Sequence, residues 1–232
     1  MSTYNAPLND IRFTLFDLLD AEALFARLGK TEATRDIVDA VLEESARFAE
    51  TVLTPLSRVG DEIGCKYDKA TGAVTTPPGF KQAYEQFVEG GWSGLVSPEE
   101  FGGQGLPHLV GIPLEEMVDA ANLAWGNFPL LSHGATTALM HHGEPWQQEI
   151  FLKPLISGQW TGTMCLTEPH CGTDLGLLKT KAVPQADGSY AISGTKIFIT
   201  AGEHDLTDNI IHLVLARLPD APAGSKGISL FI

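Results

Sequence analysis

The chain has 232 residues, 44% of them hydrophobic and 19% charged, proportions of a core-forming protein rather than a disordered one. Fifteen Lys and Arg against 29 Asp and Glu give a net charge of −14, which argues against nucleic acid or an anionic membrane as partner. The three cysteines (Cys65, Cys165, Cys171) lack CxxC spacing, residues 1–7 lack a signal peptide's basic and apolar regions, and no apolar run reaches the roughly 20 residues of a membrane span, so a soluble cytoplasmic protein is expected.

Residues 1–30 predict an amphipathic segment, with Ile11, Leu15, Leu18 and Leu19 at helical spacing and Leu24, Phe25 and Leu28 continuing it. A longer helix is expected from Ala33 to Val59, with Ile37, Val41, Phe48 and Val52 as its apolar stripe and Glu43, Glu44, Arg47 and Glu50 opposite. Asp61 to Gly79 is polar and carries Gly72, Pro77, Pro78 and Gly79, so it reads as a loop. Phe80 to Glu89 predicts a short helix ended by Gly90-Gly91. Gly102-Gly-Gln-Gly105 is a turn into a helix from Val110 to Trp125, whose Leu114, Met117, Val118, Ala121 and Trp125 share one face. Helices at Leu130–His142 and Trp146–Ile156 follow, separated by Gly143 and Pro145.

Near Gln159 the period changes. Thr161–Thr167, Ser189–Ser193, Lys196–Thr200, Ile210–Ala216 and Gly227–Ile232 are short runs rich in Ile, Val, Phe and Thr, divided by turn residues, with Asp187-Gly188 and Ser193-Gly194 as hairpin signals. Helices followed by strands indicate segregated layers or domains. The expected fold class is α+β: an extension over 1–34, an all-helical domain over 35–159 and an antiparallel β-barrel-like domain over 160–232. The last strand run stops at Ile232, so the β domain reads as incomplete.

Two strand ends carry the chemistry. Thr167 offers a hydroxyl at the end of one, Pro169 fixes the turn, Gly172 lets backbone approach a ligand, and Thr173 offers amide and hydroxyl donors suited to a phosphate. Phe198 and Thr200 offer an aromatic face and another donor at the end of the second. Taken alone, either segment also reads as ordinary solvent-facing strand; the pair, in order and after a helical domain, favours a site for a flat polar ring and a neighbouring phosphate. Glu168, held between Thr167 and Pro169, reads as a turn-stabilising carboxylate rather than a base. His141-His142 closes a helix, His133 is a packed histidine or lines a pocket, and Cys171 lacks a base beside it in sequence. No metal-ligand spacing, P-loop or Gly-x-Ser-x-Gly is found.

Leu166-Thr-Glu-Pro169, Gly172-Thr-Asp174, Lys179-Thr-Lys-Ala182 and Gly194-Thr-Lys-Ile-Phe-Ile-Thr200 resemble successive motifs of the acyl-CoA dehydrogenase middle domain. Upstream, Pro98-Glu-Glu-Phe-Gly-Gly-Gln-Gly105 is similar to the glycine turn of that family's helical N-terminal domain. The resemblance covers roughly residues 35–232, and the extension with Thr-Glu-Pro-His-Cys is similar to a longer bacterial branch. It implies FAD as cofactor, α,β-dehydrogenation of an acyl-CoA thioester, an electron-transfer flavoprotein as partner and a homodimer or homotetramer. It places Met164, Leu166, Thr167, Phe198, Ile199 and Thr200 on the flavin ring and Gly172 and Thr173 at the pyrophosphate, with Thr173 also near coenzyme A. The family's base is a Glu of a C-terminal helical bundle, so no catalytic residue is expected in this chain, which reads as ending before that bundle. His170 and Cys171 stand where the family usually has small residues. A flavin acyl-CoA oxidase and a non-catalytic interaction module remain alternatives.

Overall fold

The computed structural model describes residues 4–232, so the first three residues of the expected extension lie outside the described chain. Helix α1 (Leu8–Arg12) runs into a π-helical turn over Phe13–Leu18, and Asp20, at φ 49°, redirects the chain into α2 (Ala21–Arg27). Ile11, Leu15 and Phe25 of the expected stripe are buried and Leu24 packs against the core, whereas Leu18, Leu19 and Leu28 are exposed. The long helix expected next is α3 (Arg35–Phe48), a π-helical turn over Ala49–Leu53 and α4 (Thr54–Ile63).

The buried face of α3 is Val38, Leu42, Ser45, Ala46 and Phe48, with Ala49 beyond it; of the expected stripe Phe48 is buried and Val41 and Val52 pack against the core, while Ile37 is 43% exposed. Ser45 joins this face because its Oγ donates to the Val41 carbonyl at 2.6 Å, which lets a polar residue sit inside the helix's apolar seam. The segment read as loop holds a small hairpin, β1 (Lys66–Tyr67) with β2 (Val74–Thr75). Helix α5 (Phe80–Glu89) has the expected bounds.

The two helices expected at Val110–Trp125 and Leu130–His142 are one kinked helix, α6 (His108–His142), which continues past Pro129. The kink is at Asn122 (φ −160°, ψ 81°), whose Oδ1 accepts from Trp125 N at 3.1 Å and whose Nδ2 donates to the Leu53 carbonyl at 3.3 Å. The side-chain amide thus replaces the interrupted helical bonding. Trp125 is fully buried between Phe48 and Phe87, and its indole N–H donates to Phe80 O at 3.1 Å. A capping box between Glu144 and Gln147 starts α7 (Pro145–Ile156).

The β region comprises β3 (Thr161–Cys165), β4 (Lys181–Pro184), β5 (Tyr190–Ser193), β6 (Ile210–Ala216) and β7 (Ser229–Phe231). Strand β3 pairs parallel with β6, β6 antiparallel with β7, and β4 with β5 in a hairpin turned by Asp187-Gly188. The arrangement is therefore mixed and forms no closed barrel among the described residues. Ser193-Gly194 makes no hairpin, and Lys196–Thr200 is not a strand: Phe198 (φ 57°) and Ala201 (φ 53°) adopt left-handed backbone that breaks pairing. Strand β4, absent from the expected runs, is joined to the end of β6 by Ala182 N to Arg217 O at 2.9 Å and Arg217 N to Thr180 O at 2.9 Å.

Strand β3 lies on α6 through Gly162, whose N–H donates to Ser132 Oγ at 2.9 Å. A Cβ at that position would stand 2.6 Å from the Ala135 Cβ. Gly162→Ala is expected to lower stability by about 1–3 kcal/mol through overpacking. The check is urea unfolding, with the midpoint falling at unchanged slope.

Candidate functional site

Strand β3 ends at Cys165, and the chain turns through Pro169-His170, with Glu168 N donating to Cys171 O at 2.8 Å and Cys171 N to Glu168 O at 3.1 Å. This tight turn sends the Glu168 side chain inward, where the residue is only 3% exposed. Its carboxylate accepts from Lys179 N at 2.8 Å, Thr180 N at 2.9 Å, Thr180 Oγ1 at 2.5 Å and Lys196 Nζ at 3.1 Å. Burial alone would raise its pKa, but the bonds from Thr180, Lys179 and Lys196 outweigh burial and hold the carboxyl at about 2. Lys196 also donates to the Leu166 carbonyl at 3.0 Å, so one ion pair joins three separate stretches of chain.

That clamp brings the two motif segments side by side: Ile197 N donates to Thr167 O at 3.0 Å. Gly172 borders Thr167, and a Cβ there would meet Thr167 Cγ2 at 3.4 Å, an ordinary contact. The protein's own packing therefore does not demand glycine at 172. Met164, 37% exposed, is the outward residue of β3. Leu166 is half-buried, Thr173 and Thr200 are exposed, and Ile199 is half-buried with its carbonyl accepting from Gly202 N at 3.1 Å. Phe198 is 87% exposed, an aromatic ring held outward on left-handed backbone.

The donors of these segments are free. The hydroxyls of Thr167, Thr173 and Thr200 make no hydrogen bond among the described residues, and neither do the backbone N–H groups of Gly172, Thr173, Phe198, Ile199 and Thr200. Two nearby cations, by contrast, are committed. Arg217 donates to the carbonyls of Leu178 at 2.8 Å, Gly176 at 2.9 Å and Pro222 at 3.1 Å, and Lys196 is paired with Glu168.

Glu168, His170 and Cys171 place a carboxylate oxygen, a ring nitrogen and a sulfur within 4.8 Å of one another. The carboxylate is already neutralised by Lys196, and His170 Nε2 lies 3.0 Å from the Leu177 carbonyl. The geometry reads as a satisfied turn. In the helical part, a cavity of about 80 Å³ is lined by Leu114, Val118, Ser132, His133 and Thr136. Asp119 also borders it, with its carboxyl pushed up by burial. His133, against whose ring His108 packs edge-on at 5.6 Å, thus faces a cavity rather than solid core.

Sequence reading missed the partners of Glu168. Thr180 and Lys196 lie inside quoted motifs, but nothing in their spacing says that they converge on one carboxylate. It also passed over His204, a buried residue bonded to Thr161 and placed edge-on to Phe128 at 5.2 Å.

Comparison with known proteins agrees with this architecture. Residues 35–159 match the family described as "Acyl-CoA dehydrogenase, N-terminal domain", and residues 163–232 match "Acyl-CoA dehydrogenase, middle domain". The 3-methylmercaptopropionyl-CoA dehydrogenase of Ruegeria pomeroyi is 49% identical over 230 residues, covering 99% of this chain and 39% of the relative. A butyryl-CoA dehydrogenase of Syntrophomonas wolfei is 38% identical over 232 residues, covering 99% of this chain and 38% of the relative. Among solved structures, butyryl-CoA dehydrogenase from Megasphaera elsdenii superposes with a TM-score of 0.70 at 29% identity, over 85% of this chain and 48% of that one. The chain thus spans about two fifths of the curated relatives' length. Helical domain, turn and β region together place the chain in the acyl-CoA dehydrogenase family.

Proposed function

We propose that this chain is the N-terminal and middle-domain portion of an FAD-dependent acyl-CoA dehydrogenase, acting on the α- and β-carbons of an acyl-CoA thioester. The observation that carries the reading is the pair of adjacent chain edges, 164–173 and 198–200, in which the hydroxyls of Thr167, Thr173 and Thr200 and the amides of Gly172, Thr173, Phe198, Ile199 and Thr200 are unpaired among the described residues while the backbones are locked together. Free donors on a fixed frame suit a heteroaromatic ring and a phosphate. In this reading Met164, Leu166, Thr167, Phe198, Ile199 and Thr200 line the ring. Gly172 and Thr173 take the pyrophosphate, with Thr173 also near the coenzyme A side. Gly172 is compatible with it: the fold leaves room for a Cβ there, so the glycine serves close approach by a ligand rather than internal packing. When bound, FAD supplies the acceptor for a hydride from the substrate β-carbon.

The α-proton needs a carboxylate that can take it up near neutral pH. Glu168 does not qualify: its oxygens are filled by the four donors described above, and its carboxyl is held at about 2. The family resemblance implies that the base is a Glu of a C-terminal helical bundle, which these 232 residues do not contain, in keeping with the greater length of the relatives. We further propose a division into an extension (1–34), a helical domain (35–159) and a β domain (160–232), the last two supported by the spans of the family matches. The name of the 49% identical relative favours a short, thioether-containing acyl group. Electron-transfer flavoprotein as electron acceptor, homo-oligomeric assembly and a cytoplasmic location complete the proposal. The three free cysteines suit the last, and no helix among the described residues is long and apolar enough to cross a membrane.

Two outcomes test this reading. Titrating FAD into the 232-residue chain is expected to show weak binding with no turnover of acyl-CoA; Gly172→Val should weaken it about tenfold while leaving the unfolding midpoint unchanged. Equal FAD affinity in wild type and variant, or turnover by this chain alone, would overturn the proposal. For Glu168→Gln, loss of the buried charged tie is expected to cost about 3 kcal/mol at pH 7. Because the folded carboxyl is depressed, that stabilisation is present above the ordinary glutamate range and lost as pH falls through about 2. The gap between wild type and variant in urea unfolding should therefore narrow from pH 7 to pH 3.

A further inference from the structure

We infer that His204 is a positioning residue for the Phe198–Thr200 edge, which it holds in place through an oriented hydrogen-bond relay to the start of β3. The inference rests on the cradle reading above. Leu206 N donates to His204 Nδ1 at 3.2 Å, which makes Nδ1 the acceptor and leaves the ring proton on Nε2. Nε2–H then donates to Thr161 Oγ1 at 3.0 Å. Thr207 Oγ1 donates to Asn209 O at 3.0 Å, so its lone pair receives the Thr161 hydroxyl at 3.3 Å. Asn209 O also accepts Thr161 N at 3.2 Å, and the relay closes on the strand where it began. Each member of the relay has one allowed direction.

The surroundings suit a neutral ring. His204 is 4% exposed, and Phe128 of α6 stands edge-on at 5.2 Å. The acidic groups nearby flank it in sequence and are occupied: Glu203 Oε1 accepts from His204 N at 3.1 Å, and Asp205 Oδ1 accepts from Thr76 N at 3.0 Å and Thr76 Oγ1 at 2.7 Å. Burial lowers the ring's pKa, and a proton on Nδ1 would oppose the Leu206 N–H donor.

This anchor bears on the cradle because the edge has no strand partners. Upstream the edge is held by Ile197 N on Thr167 O. Between that bond and Gly202 lie Phe198, Ile199, Thr200 and Ala201, two of them with left-handed φ and without ladder bonds. Downstream the hold on β3 is His204, while Asp205 is tied to Thr76, Leu206 is buried in the helical core and Ala201 packs against it. The bond to Thr161 fixes this end of the loop to β3, the strand whose own end carries Met164 and leads into Thr167.

The competing view is a satisfied core histidine that merely stabilises. Two substitutions separate them. Glutamine reaches the Nε2 position and keeps the donor to Thr161; asparagine keeps only an acceptor at the Nδ1 position for Leu206. Each loses one of the ring's two bonds, so comparable falls in Tm are expected. His204→Gln should hold FAD affinity within about threefold of wild type, while His204→Asn should lower it at least about tenfold. Hydrogen exchange of the amides from Phe198 to Gly202 should speed up in the asparagine variant alone. Equal loss of FAD affinity in both variants, or no loss in either, overturns the positioning role. If the wild-type chain binds no FAD, the cradle reading is what fails; the exchange arm still decides, since equal exchange in wild type and the asparagine variant overturns the inference.

Discussion

Everything at the candidate site depends on the buried carboxylate of Glu168. A charged group with 3% exposure survives in a protein only when its lone pairs are filled, and here a lysine, a hydroxyl and two backbone amides fill them. The donors come from residues 179, 180 and 196, so the pair ties the turn after β3, the lead-in to β4 and the chain beyond β5 at one point. Strand pairing alone would not do this. Among the described residues, the β4–β5 hairpin meets the main sheet through the isolated bridge between Lys181 and Arg217 and the packing of Tyr190 on Phe231 at 5.0 Å, and 196–200 joins no ladder. A buried ion pair adds little net stability against an apolar substitute, but it fixes geometry, which is what a site assembled from loops needs.

The helical part supplies the floor. Trp125, fully buried and bonded to the Phe80 carbonyl, knots α5 to α6, and Asn122 lets α6 bend without leaving orphan amides. Beyond the bend, Ser132 and Ala135 receive Gly162, so strand β3 rests on the helix with backbone contact and little freedom to slide. The same face of α6 carries His133 and Thr136, which line the cavity, and Phe128, which backs His204. One helix thus supports the strand, the cavity and the loop anchor.

Much of this was legible in the residues. The face of α6 from Leu114 to Trp125, the bounds of α5 and the run Ile210–Ala216 follow from apolar periodicity and glycine punctuation, because burial there is one-sided and local. Reading failed where a polar residue solved its own hydrogen bonding. Ser45 widened the buried face of α3 beyond its apolar residues, and Asn122 kinked α6 inside the first expected helix, while the expected gap before Leu130 is continuous helix. It failed again at Lys196–Thr200, whose β-rich composition promised a strand that left-handed residues at 198 and 201 forbid. At the site, the hydroxyls and the glycine were visible as motif letters. The convergence of Lys179, Thr180 and Lys196 on Glu168 was not, since it depends on long-range contacts across up to 28 residues.

That convergence also answers the conflict posed by a net charge of −14 and a proposed ligand bearing phosphates. Lys196 and Arg217 do not resolve it, because Lys196 neutralises Glu168 and Arg217 is spent on three carbonyls. The motif segments themselves keep neutral donors unspent, the amides of Gly172 and Thr173 and the hydroxyls of three threonines. Such donors recognise an anion by direction rather than by net charge, and they lose little to screening or to a distant negative surface. Converting the local positive charge into internal cross-links makes the frame rigid, and rigidity is what turns a row of weak dipoles into a binding edge. An exposed arginine in the same place would attract phosphate more strongly and hold the ring's position less well.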